Sequence, residues 1–338
     1  MSLEDKLYPL VLVDDRIDYL KGLAIVGVLI LHIPLARLPP EAVASVQKIS
    51  RWFDWCVLAF FFASGALRGC STRELDWMEF TRRRASRLLV PFLSLSLIYA
   101  LAYQVLQEFA PLGIGHSQFP RSLGGKLYHI LLCDDRMVGV QLYFLVFLFG
   151  ISTVYEGVFL KKKRSLVTRL GWLCGAQAFI LCWEGRSPGS IRIFGPYPEV
   201  LALGMIQYGF GFMVGRKELP RATVCWATGF FVVAGFLWWW LSASVFVLHI
   251  FVPVTLWIAL TALLVRFRSR LLLFLGNESA SIYAYHTPFV FAGAMELSKR
   301  VPVPIAVSII TAMTVTVCVS VLIARCVAKF SWLAPFRL

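Results

Sequence analysis

Ten apolar runs long enough to cross a bilayer, separated by short connections in which the charges cluster, decide what this chain of 338 residues can be. A helix needs about 20 apolar residues to span the hydrocarbon. The runs fall at 17–35, 52–67, 88–109, 137–160, 166–183, 200–214, 222–241, 244–265, 271–291 and 303–327. Backbone N–H and C=O groups have no water to bond inside a bilayer, so each run is expected to be helical. Only 15% of the residues are charged, against about 25% in soluble domains, and the mean hydropathy is +0.74. The expected fold class is all-α, a polytopic integral membrane protein of about ten helices. No internal repeat or low-complexity tract is apparent.

The charge balance is +14, with 33 Lys and Arg residues. Their placement argues against nucleic acid, which would call for a basic surface on a soluble fold. Assigned to alternate connections, 23 basic residues fall on the side of both termini and 10 on the other. The positive-inside rule then puts both termini in the cytoplasm. Cys56, Cys174, Cys182, Cys225 and Cys318 lie in apolar runs, and no pair of the eight cysteines has metal-ligand spacing, so neither a disulfide framework nor a metal site is expected. The early apolar patch at 7–13 is too short for a signal peptide and is followed by acidic residues.

The connections at 110–136 and 184–199 read as loops, rich in Gly and Pro. Covering an outer cavity and simply linking helices are equally open roles for them. Three histidines lie within runs, where an ionisable side chain needs a partner or a task. Counted at 1.5 Å per residue, His32 lies roughly 16 Å and His286 roughly 24 Å from the inner boundary, and His249 about 8 Å from the outer one. All three therefore fit a single polar chamber in the outer half. For His249, in FVLHIFVP, an interhelical hydrogen bond is the favoured reading. His286 follows a polar stretch and precedes Pro288, which favours a functional surrounding. His32 stands evenly between a structural hydrogen bond and a general base.

Arg84 and Arg87, three apart, share one helical face. Guanidinium forks suit phosphate, but composition alone favours a topogenic cluster. Lys161–Arg164 reads as orientation only. Trp238, Trp239 and Trp240 read as an interfacial belt, and Phe60, Phe61 and Phe62 as helix packing.

Taken together, several segments resemble the membrane-bound acyltransferase-3 family. Arg16-Ile-Asp18-Tyr-Leu-Lys21-Gly22 leads into a run ending at His32, with ten residues between Lys21 and His32. FFASGAL, which contains Ser64, is similar to the family's Phe-rich Ser-Gly motif. RASRLLVP at 84–91 resembles its paired-arginine motif, GNESASIYAYHTP at 276–288 its late Tyr–His–Pro segment, and QLYFLVFLF at 141–149 is a looser match. The resemblance runs over nearly the whole chain. It implies one ten-helix domain over 1–338, without the fused extracytoplasmic domain many relatives carry, in the cytoplasmic membrane, that is, a bacterial inner membrane.

What the resemblance further implies is transfer of an acyl group, usually acetyl, from acyl-CoA to a hydroxyl of a surface, exported or lipid-linked glycan. Acetyl-CoA is then a co-substrate, and no bound cofactor or metal is implied. Arg84 and Arg87 would hold the donor's phosphates, assisted by Lys21 and Arg16, with Asp18 paired to one of these. His32 would deprotonate the acceptor hydroxyl or carry the acyl group itself. Ser64, Tyr283, Tyr285 and His286 would form a supporting polar shell. The rival class is a transporter of a glycan or small metabolite with the histidines as proton relays; its inverted repeats or matched broken helices are not found.

Overall fold

The structure is a computed structural model, and it describes residues 3–35, 38–50, 55–71, 75–109, 122–132, 140–160, 198–216, 269–286, 289–298 and 303–330, with Phe53, Pro120, Ser165 and Thr168. These residues form helices and no strand. In chain order the helices are α1 (Leu3–Leu31), α2 (Pro40–Ser50), α3 (Cys56–Cys70), α4 (Trp77–Phe109) and α5 (Leu123–Leu132). Then come α6 (Tyr143–Tyr155), extended by a π-helical turn at Glu156–Leu160, and α7 (Pro198–Gly215). Last are α8 (Arg270–Asn277), α9 (Ser279–Tyr285), α10 (Phe289–Ser298) and α11 (Ile305–Lys329). The expected runs at 166–183 (Thr168 apart), 222–241 and 244–265 lie outside the described residues. So do His249, Trp238–Trp240, Lys161–Arg164 and most of the two long connections.

Two helices, Trp77–Val105 and Ile305–Lys329, are long and apolar enough to cross a membrane, and two shorter apolar ones run Cys56–Cys70 and Tyr143–Phe159. The orientation of α11 argues for lipid more strongly than its length. Its buried stripe is Ser308, Ala312, Thr316 and Ser320, while Val307, Ile310, Val315 and Leu322 point outward. That arrangement is the reverse of a soluble amphipathic helix. Small and weakly polar side chains facing other helices, with branched apolar ones outside, are what packing in lipid selects. In α4, Leu93, Leu97, Leu101 and Val105 likewise form an exposed row, opposite the buried Phe92, Leu95, Tyr99 and Tyr103.

The main core is built by α1, α3, α4, α6, α7 and α9. Its tightest seam joins α3 to α7 through glycines four residues apart on each helix. A Cβ at Gly65 or Gly69 would run into the backbone of Tyr208 or Phe212, and one at Gly211 or Gly215 into that of Phe62 or Ala66. Bare backbone at these four positions lets the axes approach closely, the small-xxx-small device of membrane helices. Replacing Gly211 by Leu is therefore expected to destabilise the protein by about 3 kcal/mol or more. Loss of monodisperse protein on size-exclusion chromatography in detergent checks this; a wild-type profile and melting temperature would contradict it. A second close crossing sets α8 on α1, where Gly276 abuts the Asp18 carbonyl and Gly22 the Leu272 carbonyl.

Three expectations need correction. The connection at 110–136 is not simply a loop, because Leu123–Leu132 is helical with Gly124 and Gly125 in its first turn. Its apolar residues at helical spacing outweigh the cost of two glycines at an end, where the backbone is least constrained. The run at 271–291 is not one helix: Glu278 separates α8 from α9, and His286 lies beyond the end of α9. The first run ends at Leu31 rather than at residue 35, because Pro34 disfavours helical backbone at Ile33. The amphipathic helix α2 was not foreseen. Ala42, Val43 and Val46 on it rest on a second cluster of Ile33, Leu38, Phe291 and Met295.

Candidate active site

Residues from α1, α3, α4, α6, α8 and α9 wall a cavity of about 460 Å³, within the size range of ligand pockets. Its polar wall carries Lys21, Arg68, Arg83, Arg84 and Arg87, and its apolar wall includes Phe60, Phe144 and Tyr283. Arg84 and Arg87 reach it because α4 begins at Trp77, eleven residues before the expected start of the third run. The two guanidiniums therefore project from continuous helix rather than from a loop. Pro91 lies one turn on; lacking an N–H, it leaves the carbonyl of Arg87 without a helical donor.

The five cations are not equivalent. Lys21 is paired with Asp18 at 2.6 Å, so the acid expected to pair with Lys21 or Arg16 takes Lys21. Arg83 is paired with Glu79 one turn back. Arg68 forks onto Glu156, Nε–H donating to Oε2 at 3.0 Å and Nη2–H to Oε1 at 2.5 Å. Arg84 and Arg87 face no carboxylate among the described residues; Arg84 donates from Nη2 to the Ser64 hydroxyl at 3.0 Å. Three of the charges are thus paired with the protein's own carboxylates, the Arg83 pair at the exposed surface, and the positive field of the cavity falls to the arginine pair. Phe80 organises this end, with Arg68 and Arg84 over its ring at 5.5 and 5.6 Å, within cation–π range.

The Arg68–Glu156 pair was not anticipated. Arg68 is one of the 23 basic residues that the alternation assigns to the side of the termini, whereas Glu156 is the only acidic residue of the fourth run and is buried at the start of the π-helical turn. A lone carboxylate within an apolar run is itself a signal of a partner. Trp77 ties the same corner together by donating its indole N–H to the Thr153 carbonyl at 3.1 Å, against Gly157, where a Cβ would meet the indole. Removing one member of a buried pair strands the other. Glu156→Leu is expected to cost about 3–5 kcal/mol, whereas Arg68→Met with Glu156→Leu should recover most of that loss. Thermal unfolding of the detergent-solubilised variants measures both, and an equally unstable double variant would refute the pairing argument.

Deeper in, aromatic rings connect the cavity to the histidines. Tyr283 stacks obliquely on Phe144 at 5.2 Å and meets Phe60 edge-on at 6.0 Å. Phe60 therefore lines the cavity, while Phe61 and Phe62 are core residues as expected. Behind Tyr283 stands His286, ring centroids 5.9 Å apart, and against His286 stands His32, at 4.9 Å and nearly perpendicular. Two of the three predicted intramembrane histidines are thus in contact, 254 residues apart in sequence. Of the other expected residues, Ser64 lines the cavity, Tyr285 is buried on α9 outside its wall, and Arg16 is half-buried on α1, also outside it.

Each histidine is presented by the same local device. His32 immediately follows the last residue of α1, and its Nδ1 lies 2.8 Å from the Val28 carbonyl four residues back. His286 follows α9, with Nδ1 2.8 Å from the Tyr283 carbonyl and 3.1 Å from that of Ile282. A helix end leaves such carbonyls needing donors. The turn carrying His286 is pinned from two sides: Tyr283 donates its hydroxyl to the Gln141 carbonyl at 2.6 Å, and Tyr99 donates to the Ala284 carbonyl at 2.5 Å.

A helical, lipid-facing bundle with a cationic cavity and two imidazoles in contact, one of them fully buried, is the frame of a membrane enzyme. The family profile described as an acyltransferase domain, of the acyltransferase-3 type, matches residues 14–325, and the chain belongs to that family. It is a membrane acyltransferase. No curated protein and no solved structure matches the chain.

Proposed function

We propose that this protein is an O-acyltransferase that moves an acetyl group from acetyl-CoA to a hydroxyl of a surface, exported or lipid-linked glycan. The observation that carries this reading is one cavity bounded on one side by two guanidiniums that have no acid partner among the described residues and on another by the ring that separates it from His286 and His32. Such an arginine pair suits a phosphate-bearing donor. In the ten-helix arrangement with both termini cytoplasmic, these arginines stand at the inner boundary, where acetyl-CoA is found. Arg84 and Arg87 hold the phosphates, Lys21 and Ser64 shape the same wall, and the pantetheine arm carries the thioester past Tyr283.

His32 supplies the base. Its Nδ1 donates to Val28, which leaves the lone pair on Nε2 to take the proton of the acceptor hydroxyl. The alkoxide oxygen attacks the thioester carbonyl, the C–S bond breaks, and the proton passes from His32 to the departing thiolate. Arg16, Asp18, Tyr285 and His286 support this frame, and residues 1–338 act as one domain in the cytoplasmic membrane of a bacterium.

Membrane vesicles carrying the protein and their own glycan, supplied with [14C]acetyl-CoA, test the reading. Label should enter the polymer or lipid-linked fraction, and free CoA should appear in equal amount. CoA release without labelled glycan, or no consumption of acetyl-CoA, would exclude it; a transporter gives the second result.

A further inference from the structure

We infer that His286 is a positioning residue that shares, nitrogen to nitrogen, the proton taken up by His32, so that the two imidazoles hold one proton between them during transfer. This rests on His32 acting as the base. The argument starts from the carbonyls. A carbonyl oxygen only accepts, so the Nδ1 contacts of His32 to Val28 and of His286 to Tyr283 put a proton on both Nδ1 atoms. The neutral pair then carries two Nε2 lone pairs. Two lone pairs make no hydrogen bond with each other, and Nε2 of the fully buried His286 has no partner among the described residues. Such an orphan acceptor is costly and calls for an explanation.

One added proton supplies it. The two rings meet edge-on, centroids 4.9 Å apart and nearly perpendicular, and turning the protonated His32 ring toward the open Nε2 of His286 would bring the two nitrogens to the length of an N–H···N bond, roughly 3 Å. Among the described residues no carboxylate interacts with either ring, and the ring packed against His32 is that of His286. The balance is complete: the acceptor O–H bond breaks as N–H forms on His32, Nε2 of His286 accepts a hydrogen bond from that N–H, and the same proton leaves on the thiolate sulfur when the C–S bond breaks. Tyr283 and Tyr99, which anchor the turn, keep the second ring in reach.

The test compares His286→Phe, which keeps a ring for packing but has no lone pair, with His286→Gln, whose amide oxygen accepts. In the vesicle assay with [14C]acetyl-CoA, the Phe variant should lose about 10- to 100-fold in kcat, with KM for acetyl-CoA within about twofold of wild type. The Gln variant should retain most of the rate. A Phe variant at wild-type kcat, or Gln and Phe variants equally impaired, would overturn the inference. Solid-state 15N spectra of histidine-labelled wild-type protein in membranes give a measure independent of any variant: both rings must be Nδ1-protonated when neutral, and an Nε2-protonated His286 refutes the pairing. If His32→Ala transfers acetyl at the native rate, the base assignment itself falls. If His32→Ala is inactive and His286→Phe is fully active, only the shared proton falls.

Discussion

A His32→Ala protein, inserted to the wild-type level, should transfer acetyl to glycan about 100- to 10,000-fold more slowly, the usual contribution of a positioned base. Its affinity for acetyl-CoA should remain close to wild type. The split is expected from the geometry: His32 is not part of the cavity wall, and Tyr283 and His286 stand between it and the arginine pair. The fold should survive as well, because His32 lies beyond α1 and its ring bonds only to its own helix among the described residues. Isothermal binding of acetyl-CoA to the solubilised protein, alongside transfer in vesicles, separates the two quantities. A variant that loses donor binding in step with activity would place His32 in the donor site instead. His32→Gln should be as slow as His32→Ala, because an amide oxygen accepts a hydrogen bond without taking the proton.

How much of this the sequence discloses depends on the kind of signal. Hydropathy runs mark where helices lie because hydrocarbon tolerates little else. The runs ending in the 303–327 and 88–109 segments correspond to α11 and the later part of α4. Depth counting put His32 at roughly 16 Å and His286 at roughly 24 Å from the inner boundary, compatible with one chamber, and the two are in contact. Rotation about each axis was not accessible that way, so the perpendicular ring contact and the Nδ1 contacts appear only in the structure. The spacing of Arg84 and Arg87 predicted a shared face, and both line one cavity.

The misses have physical reasons. Arg68 was weighed as a loop charge because a positive-inside count treats every basic residue alike; pairing with Glu156, 88 positions away, is a tertiary fact. Gly65, Gly69, Gly211 and Gly215 were legible as small residues four apart, a pattern that reports a helix contact but not the partner. The break at Glu278 follows from the irregular Gly276–Asn277 stretch, whereas its cause on the partner side, the close seating of Gly276 on Asp18, required α1 in place.

The arginine pair should give the second large effect, and in the opposite quantity. Arg84→Gln with Arg87→Gln is expected to weaken acetyl-CoA binding by about 100-fold or more, since each lost charge-assisted bond to phosphate is worth about 1.5–3 kcal/mol. At saturating donor, kcat should change little, because the arginines line the cavity and the imidazoles lie behind Tyr283. Lysine replacements give a sharper discrimination. Arg84→Lys keeps the charge but not the planar fork that reaches Ser64 and stacks on Phe80. It should therefore weaken binding appreciably, whereas Arg83→Gln, which removes a cation already satisfied by Glu79, should hardly do so. Were the cavity merely a basic patch oriented by topology, Arg83 and Arg84 would be interchangeable and raised salt would weaken both variants alike. Measuring acetyl-CoA dissociation constants for the Arg83, Arg84 and double variants decides between a charge count and a built phosphate site. Among the described residues carboxylates pair with Lys21, Arg68 and Arg83 and none pairs with Arg84 or Arg87, which is the arrangement the proposed phosphate site requires.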